Sequence, residues 1–148
     1  MEALLTAIVV WLSANYSLPA SYDHPRVEFS SATKMTLLLR TDDGSQQKPG
    51  MVLNQPESDI VSLYSNKSKT IFMRDGWTGK TPAELSILVH EMVHHLQNVG
   101  QLQFACPEER EELAYKAQDQ WLGLFGHDLM HDFDMDAFTI AVKSKCFN

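Results

Sequence analysis

The sequence predicts a small α+β domain, and three stretches carry that expectation. DIVSLYS and TIFMRDGW are β-prone runs on either side of NKSK, which reads as an antiparallel hairpin. TPAELSILVHEMVHHLQNVG has helical spacing with a start signal and a stop signal. CPEEREELAYKAQDQWLGLFG reads as a second helix from about Pro107 to Phe125. The chain has 148 residues, enough for one domain with a real core and too few for two ordinary ones. One domain over residues 1–148 is therefore expected. At 44% hydrophobic and 21% charged, the composition falls in the globular range.

The elements follow in chain order. Residues 3–15 read as an amphipathic helix that stops before Leu18-Pro19. Its apolar run is shorter than the roughly 20 residues of a membrane helix. It follows Glu2 rather than the basic residues of a secretory leader, so it reads as part of the mature domain. HPRVEFS and KMTLLLR read as strands, with a helix as the alternative for the second. TDDGSQQKPG, residues 41–50, is a polar turn rich in turn formers. The hairpin comes next. Thr81 is an N-cap for the following helix, Pro82 suits its first position, and Glu84 completes a capping box. Gly100 suits its C-terminal stop. A last helix is expected from about Asp134 to Val142.

Charge and cysteines narrow the partners. The formal net charge is -7, and the basic residues are scattered apart from a loose group at Lys67, Lys69 and Arg74. Phosphate binding needs clustered Lys and Arg, so nucleic acid is not the expected partner. Cys106 and Cys146 are even in number, and a disulfide between them would pin the tail. That pairing points to a periplasmic or secreted protein; two reduced thiols in the cytoplasm are the alternative.

LVHEMVHHLQ raises the question of chemistry. At about 100° per residue, Leu85, Leu88, Val89, Met92, Val93, Leu96 and Val99 form one wide apolar arc. His90 and His94 lie beside it, one turn and about 40° apart, so both imidazoles reach one point. Glu91 lies to the side, within reach of a water held there. This is H-E-x-x-H, with two ligands at i and i+4 and Glu91 as general base. A hydrolytic zinc site takes three protein ligands and keeps one position for water, whose pKa falls toward about 7. A chance match on a buried helix is the bland alternative. His95 does not share the ligand direction and reads as a rim or surface residue.

The third ligand must come from elsewhere. The metzincin extension fails, because Gln97 stands where Gly is wanted and Gly100 where the third His is wanted. The acidic helix offers Glu108, Glu109, Glu111 and Glu112. Leu113, Ala114, Ala117, Trp121, Leu124 and Phe125 define its apolar arc. Glu109 and Glu112 point to the solvent side, with Lys116 and Asp119. Glu111 falls between Ala114 and Leu122, close to Gln118, where a carboxylate needs a partner. Ala114, one turn on, lets the two helices approach. Glu108 is the runner-up, and a merely solvated acidic face is the structural alternative. Tyr115 lies on nearly the same side as Glu111 and is a candidate oxyanion stabiliser, or else a core tyrosine. Gln97 and Gln118 are candidate hydrogen-bond partners of the ligands.

HEMVH followed by EELAY resembles the gluzincins, zincins whose third ligand is a Glu on a downstream helix. E-x-x-A, here Glu111 to Ala114, is similar to their second motif. The resemblance implies zinc ligands His90, His94 and Glu111 and a catalytic base at Glu91. Over roughly residues 60 to 125 the chain also resembles a group of small bacterial zincin-like proteins. The implied fold is a minimal zincin: a short twisted antiparallel or mixed sheet packed on an active-site helix and a third-ligand helix. An edge strand, TIFMRDGW or DIVSLYS, would pair with an extended peptide substrate. Many gluzincins have an acidic residue or Asn soon after the third ligand. Tyr115 stands in that place here, so the motif itself provides nothing to orient the first His ligand. HDLMH, residues 127–131, is a second i, i+4 histidine pair without an internal Glu, and reads as a solvated turn.

The expected function is a zinc-dependent metallopeptidase acting on a peptide or protein substrate. Two alternatives stand beside it: a non-catalytic domain stabilised by zinc, and metal-assisted hydrolysis of a non-peptide amide.

Overall fold

A computed structural model describes residues 1–41 and 60–146. It shows an α+β chain with a small three-stranded mixed sheet. The chain clusters into two compact units, one of residues Met1–His24 with Thr78–Asn148 and one of Pro25–Trp77. No helix among the described residues is long and apolar enough to cross a membrane.

The unit from Pro25 to Trp77 holds the sheet. Its elements are β1 (Arg26–Ser30), the helix over Ala32–Thr41, then β2 (Ser62–Ser65) and β3 (Thr70–Arg74). The strand order is β1-β3-β2, with β1 parallel to β3 and β2 antiparallel to it. Val27 pairs with Ile71, and Tyr64 pairs with Ile71 from the other side. The expected hairpin is thus β2-β3. TIFMR, however, forms the central strand, and its run of buried residues from Thr70 to Met73 suits that place. With both edges already hydrogen-bonded it cannot accept an extended peptide; among the described residues β2 and β1 are the edges.

KMTLLLR is helical rather than extended. Ser31 Oγ accepts from Lys34 N at 3.2 Å and starts the turn. Met35, Leu38 and Leu39 then fall on one face, at i, i+3 and i+4, and pack with Ile60, Phe72 and Leu63. Read as a strand, that apolar run would have put alternate leucines on opposite faces. Most of the polar stretch at 41–50 lies outside the described residues.

The other unit is helical. In chain order across the molecule, its helices are α1 (Glu2–Tyr16), α3 (Pro82–Val99), α4 (Arg110–Gly123), α5 (Leu129–Phe133) and α6 (Ala137–Ser144), α2 being Ala32–Thr41. A 3₁₀ turn, Pro107–Glu109, leads into α4. Leu5, Ile8, Val9 and Leu12 are the buried stripe of α1, as its spacing predicts. The closest helix pair is α3 with α4, where Ala114 and Ala117 are fully buried. Small side chains at those positions let the backbones approach. Trp11 of α1 meets Trp121 of α4 edge to face, with ring centroids 5.3 Å apart. Cys106 and Cys146 form a disulfide, with Cα atoms 5.8 Å apart, that ties the end of the chain to the start of the 3₁₀ turn.

Three local expectations are corrected here. Leu124 and Phe125 are 61% and 49% exposed rather than core, because α4 ends at Gly123 and helical periodicity no longer applies beyond it. HDLMH is not a plain turn: Asp128 caps the short helix α5, accepting from His131 N at 2.8 Å. The last helix begins at Ala137, capped by Asp136, rather than at Asp134.

Candidate metal centre

The cluster is built on α3 and α4. The Thr81 side chain accepts from Glu84 N at 3.1 Å, starting α3 as the capping signal predicts. The Glu84 carboxylate reaches back past the cap to the amides of Thr78 and Lys80. The hydroxyl of Thr78 and these amides hold its pKa below the usual carboxylate range. From that start, His90 and His94 come one turn apart on the face that packs against α4. Their ring centroids are 5.0 Å apart.

Glu111, in the first turn of α4, meets both rings. Its Oε2 lies 2.9 Å from His90 Nε2, and its Oε1 lies 3.0 Å from His94 Nε2. One ligand atom from each of the three residues falls within 4.8 Å of the others. The histidine side chains are 11% and 6% exposed, against 26% for Glu111. The carboxylate therefore marks the open side of the cluster. Two imidazole nitrogens and a carboxylate are donors suited to zinc, and their convergence fits a single small divalent ion. Glu108, the other candidate, is buried but does not join the group.

Electrostatics follow from this packing. Burial pulls the His90 imidazolium down, but the facing Glu111 carboxylate outweighs it and lifts the ring to about 9. Burial pushes Glu111 up, and the charges of His94 and His90 outweigh that, holding it well below the usual carboxylate range. Tyr115 lies edge-on to His90, with ring centroids 4.7 Å apart. Burial first, then the charges of Glu111 and Glu91, push its phenol up, so it stays protonated. Glu91 is itself buried, and its charge also raises His90.

Both glutamines named from the sequence touch the rings. Gln118 Oε1 lies 2.9 Å from His90 Nδ1, and Gln97 Oε1 lies 3.0 Å from His94 Nδ1. Gln118 thus gives the first histidine a hydrogen-bond partner at Nδ1. Its signal was its place on the same helix face as Glu111, two turns on. His95 is corrected: it is 1% exposed, not a rim residue, and its Nε2 donates to the carbonyl of Asp23 at 3.2 Å. The segment before Pro25 covers that side of α3, which helical periodicity alone does not reveal. Glu109 is half-buried and accepts from Ala105 N at 3.3 Å, while Glu112 is exposed as expected.

An α+β chain with a His-His-Glu cluster between two helices is thus the class that fold and site define. The family described as Domain of unknown function (DUF6647) has a model matching residues 1–148, and the chain belongs to that family. No curated protein matches the chain, and no solved structure does.

Proposed function

We propose that the chain is a zinc-dependent metallopeptidase of the gluzincin type. The observation that carries this reading is the meeting of both Glu111 oxygens with the two Nε2 atoms of H-E-x-x-H. His90, His94 and Glu111 would hold the ion. When bound, zinc supplies a Lewis acid that lowers the pKa of water toward about 7 and polarises a carbonyl. His90 Nε2, which faces Glu111 at 2.9 Å, would hold the ion only when free of a proton. Glu91 takes a proton from the attacking water and hands it to the leaving amide nitrogen. Tyr115, kept protonated, donates its hydroxyl hydrogen to the oxyanion that develops on the scissile carbonyl. The substrate class is a peptide or protein. The Cys106–Cys146 disulfide supports a periplasmic or secreted location.

One observation favours a second reading. The three ligands bridge the two most closely packed helices, so zinc there would also staple a non-catalytic domain. Zinc content and peptide-library cleavage, measured together, separate the two. The enzyme reading expects about one zinc per chain. It also expects Glu91→Gln to keep that zinc and lose hydrolysis by at least about 100-fold. Full hydrolysis in a zinc-loaded Glu91→Gln protein would sink it. Zinc without cleavage in the wild type would leave the stapled domain.

A further inference from the structure

The hydrogen bonds behind the cluster have one self-consistent set of proton positions. Ser86 Oγ donates to the carbonyl of Ala83 at 2.7 Å, and a carbonyl only accepts. The serine's hydrogen is therefore committed, and its oxygen accepts from Gln118 Nε2 at 3.2 Å. This orients the amide, leaving Gln118 Oε1 to face His90 Nδ1 at 2.9 Å, so Nδ1 carries a hydrogen. A second chain has the same logic. Gln97 Nε2 donates to the carbonyl of Arg110 at 3.2 Å, so its Oε1 accepts from His94 Nδ1–H at 3.0 Å. Each chain ends on a backbone carbonyl, which has no alternative orientation.

We propose that Gln97 and Gln118 are positioning residues. They lock both imidazoles with hydrogen on Nδ1 and turn both Nε2 atoms toward Glu111. Their role toward an ion rests on reading the cluster as a metal centre. A carboxylate at either position would also hold Nδ1–H, but it would add negative charge beside Glu91 and Glu111 in a buried place. A neutral amide fixes the ring without that charge. Each glutamine also crosses between helices. Gln97 of α3 holds Arg110, the residue before Glu111, while Gln118 of α4 holds His90 and Ser86 of α3. The same bonds thus set ring orientation and the approach of the third ligand.

The test uses the full chain and two readouts. One is zinc affinity by chelator competition. The other is the hydrogen bond on each Nδ1–H, read from its downfield shift and slow exchange in ¹⁵N–¹H spectra of the metal-free protein at neutral pH. Gln97→Met and Gln118→Met keep similar length and remove the acceptor; Gln118→Glu restores one; Ser86→Ala removes only the group that orients Gln118. The expected result is zinc bound about 10- to 100-fold more weakly in each Met variant. The facing ring should lose its downfield, slowly exchanging Nδ1–H resonance. Gln118→Glu should keep that resonance, and Ser86→Ala should show a smaller loss for His90 alone. Unchanged Nδ1–H resonances in the Met variants would overturn the proposal, as would an unchanged His90 resonance in Ser86→Ala if a Met variant does not fold. A wild-type protein with both hydrogen-bonded Nδ1–H resonances that takes up no zinc would sink the metal reading and support the positioning role.

Discussion

A methyl group at Gly100 would lie 2.7 Å from Cγ of Pro19 and 3.0 Å from the carbonyl oxygen of Leu96. Neither neighbour is the end of a flexible chain. Gly100 itself has φ -80, an ordinary value, and the left-handed residue that ends α3 is Gln101, with φ 54. Leu102 N closes the turn on the carbonyl of Gln97 at 3.1 Å. The glycine at this helix end therefore serves close approach rather than backbone freedom. Gly100→Ala should destabilise the protein by about 1–3 kcal/mol in urea unfolding, as overpacking does. An unchanged midpoint would show that Pro19 moves aside freely. Glu111 provides the complementary case. Its carboxylate bridges two buried rings, so Glu111→Ala should lose bound zinc while Glu108→Ala keeps it. Metal analysis of the two purified variants checks this, and the reverse pattern would reassign the third ligand.

At the scale of elements, start signals decide more than apolar content. α3 begins where Thr81 and Glu84 say it should. α5 and α6 begin at aspartates, where Asp128 Oδ1 accepts from His131 N and Asp136 Oδ1 from Thr139 N, both at 2.8 Å. Those amide bonds hold both carboxyls below the usual aspartate value. A depressed pKa contributes stability that is present above the unfolded value of 3.8 and lost as pH falls through the folded one. The Cα shifts of Ala137–Ser144 should therefore lose helical character on acidification below about 3.8. Asp136→Ala should show weakened helical shifts at neutral pH and no such acid step. An acid step that survives in that variant would assign it to another group. The helix at Ala32–Thr41 shows the same rule. Ser31 starts it by accepting from Lys34 N, whereas the apolar run MTLLL alone fits a strand as well as a helix face.

At the scale of the molecule, one cross-link holds the helical unit and a second is proposed. The Cys106–Cys146 disulfide spans a sequence separation of 40, and a loop of that size contributes on the order of 3–4 kcal/mol through the unfolded chain. Cys106→Ser with Cys146→Ser should lower the unfolding free energy by about that much, read from denaturant midpoints. No change would mean that the reduced chain is held together in the same way when unfolded. The second cross-link is the proposed ion. Zinc at about 100 times its Kd should add about 3 kcal/mol of stability, and a chelator should remove it. His94→Ala should abolish that difference in thermal melts.

Sequence alone determined the parts whose causes are local. Capping residues and helical spacing placed α3 and put His90 and His94 one turn apart. The position of Glu111 beside Ala114 marked it against its three acidic neighbours. Turn residues between β-prone runs placed the hairpin β2-β3. Tertiary structure alone decided what depends on segments distant in sequence. The parallel pairing of β1 made TIFMR a central strand. The carbonyl of Asp23 and the chain around it buried His95. The meeting of Gln118 with His90, 28 residues apart, gave the first histidine its partner. Periodicity reports which face of an element is apolar, and it carries no record of which other element comes to cover that face.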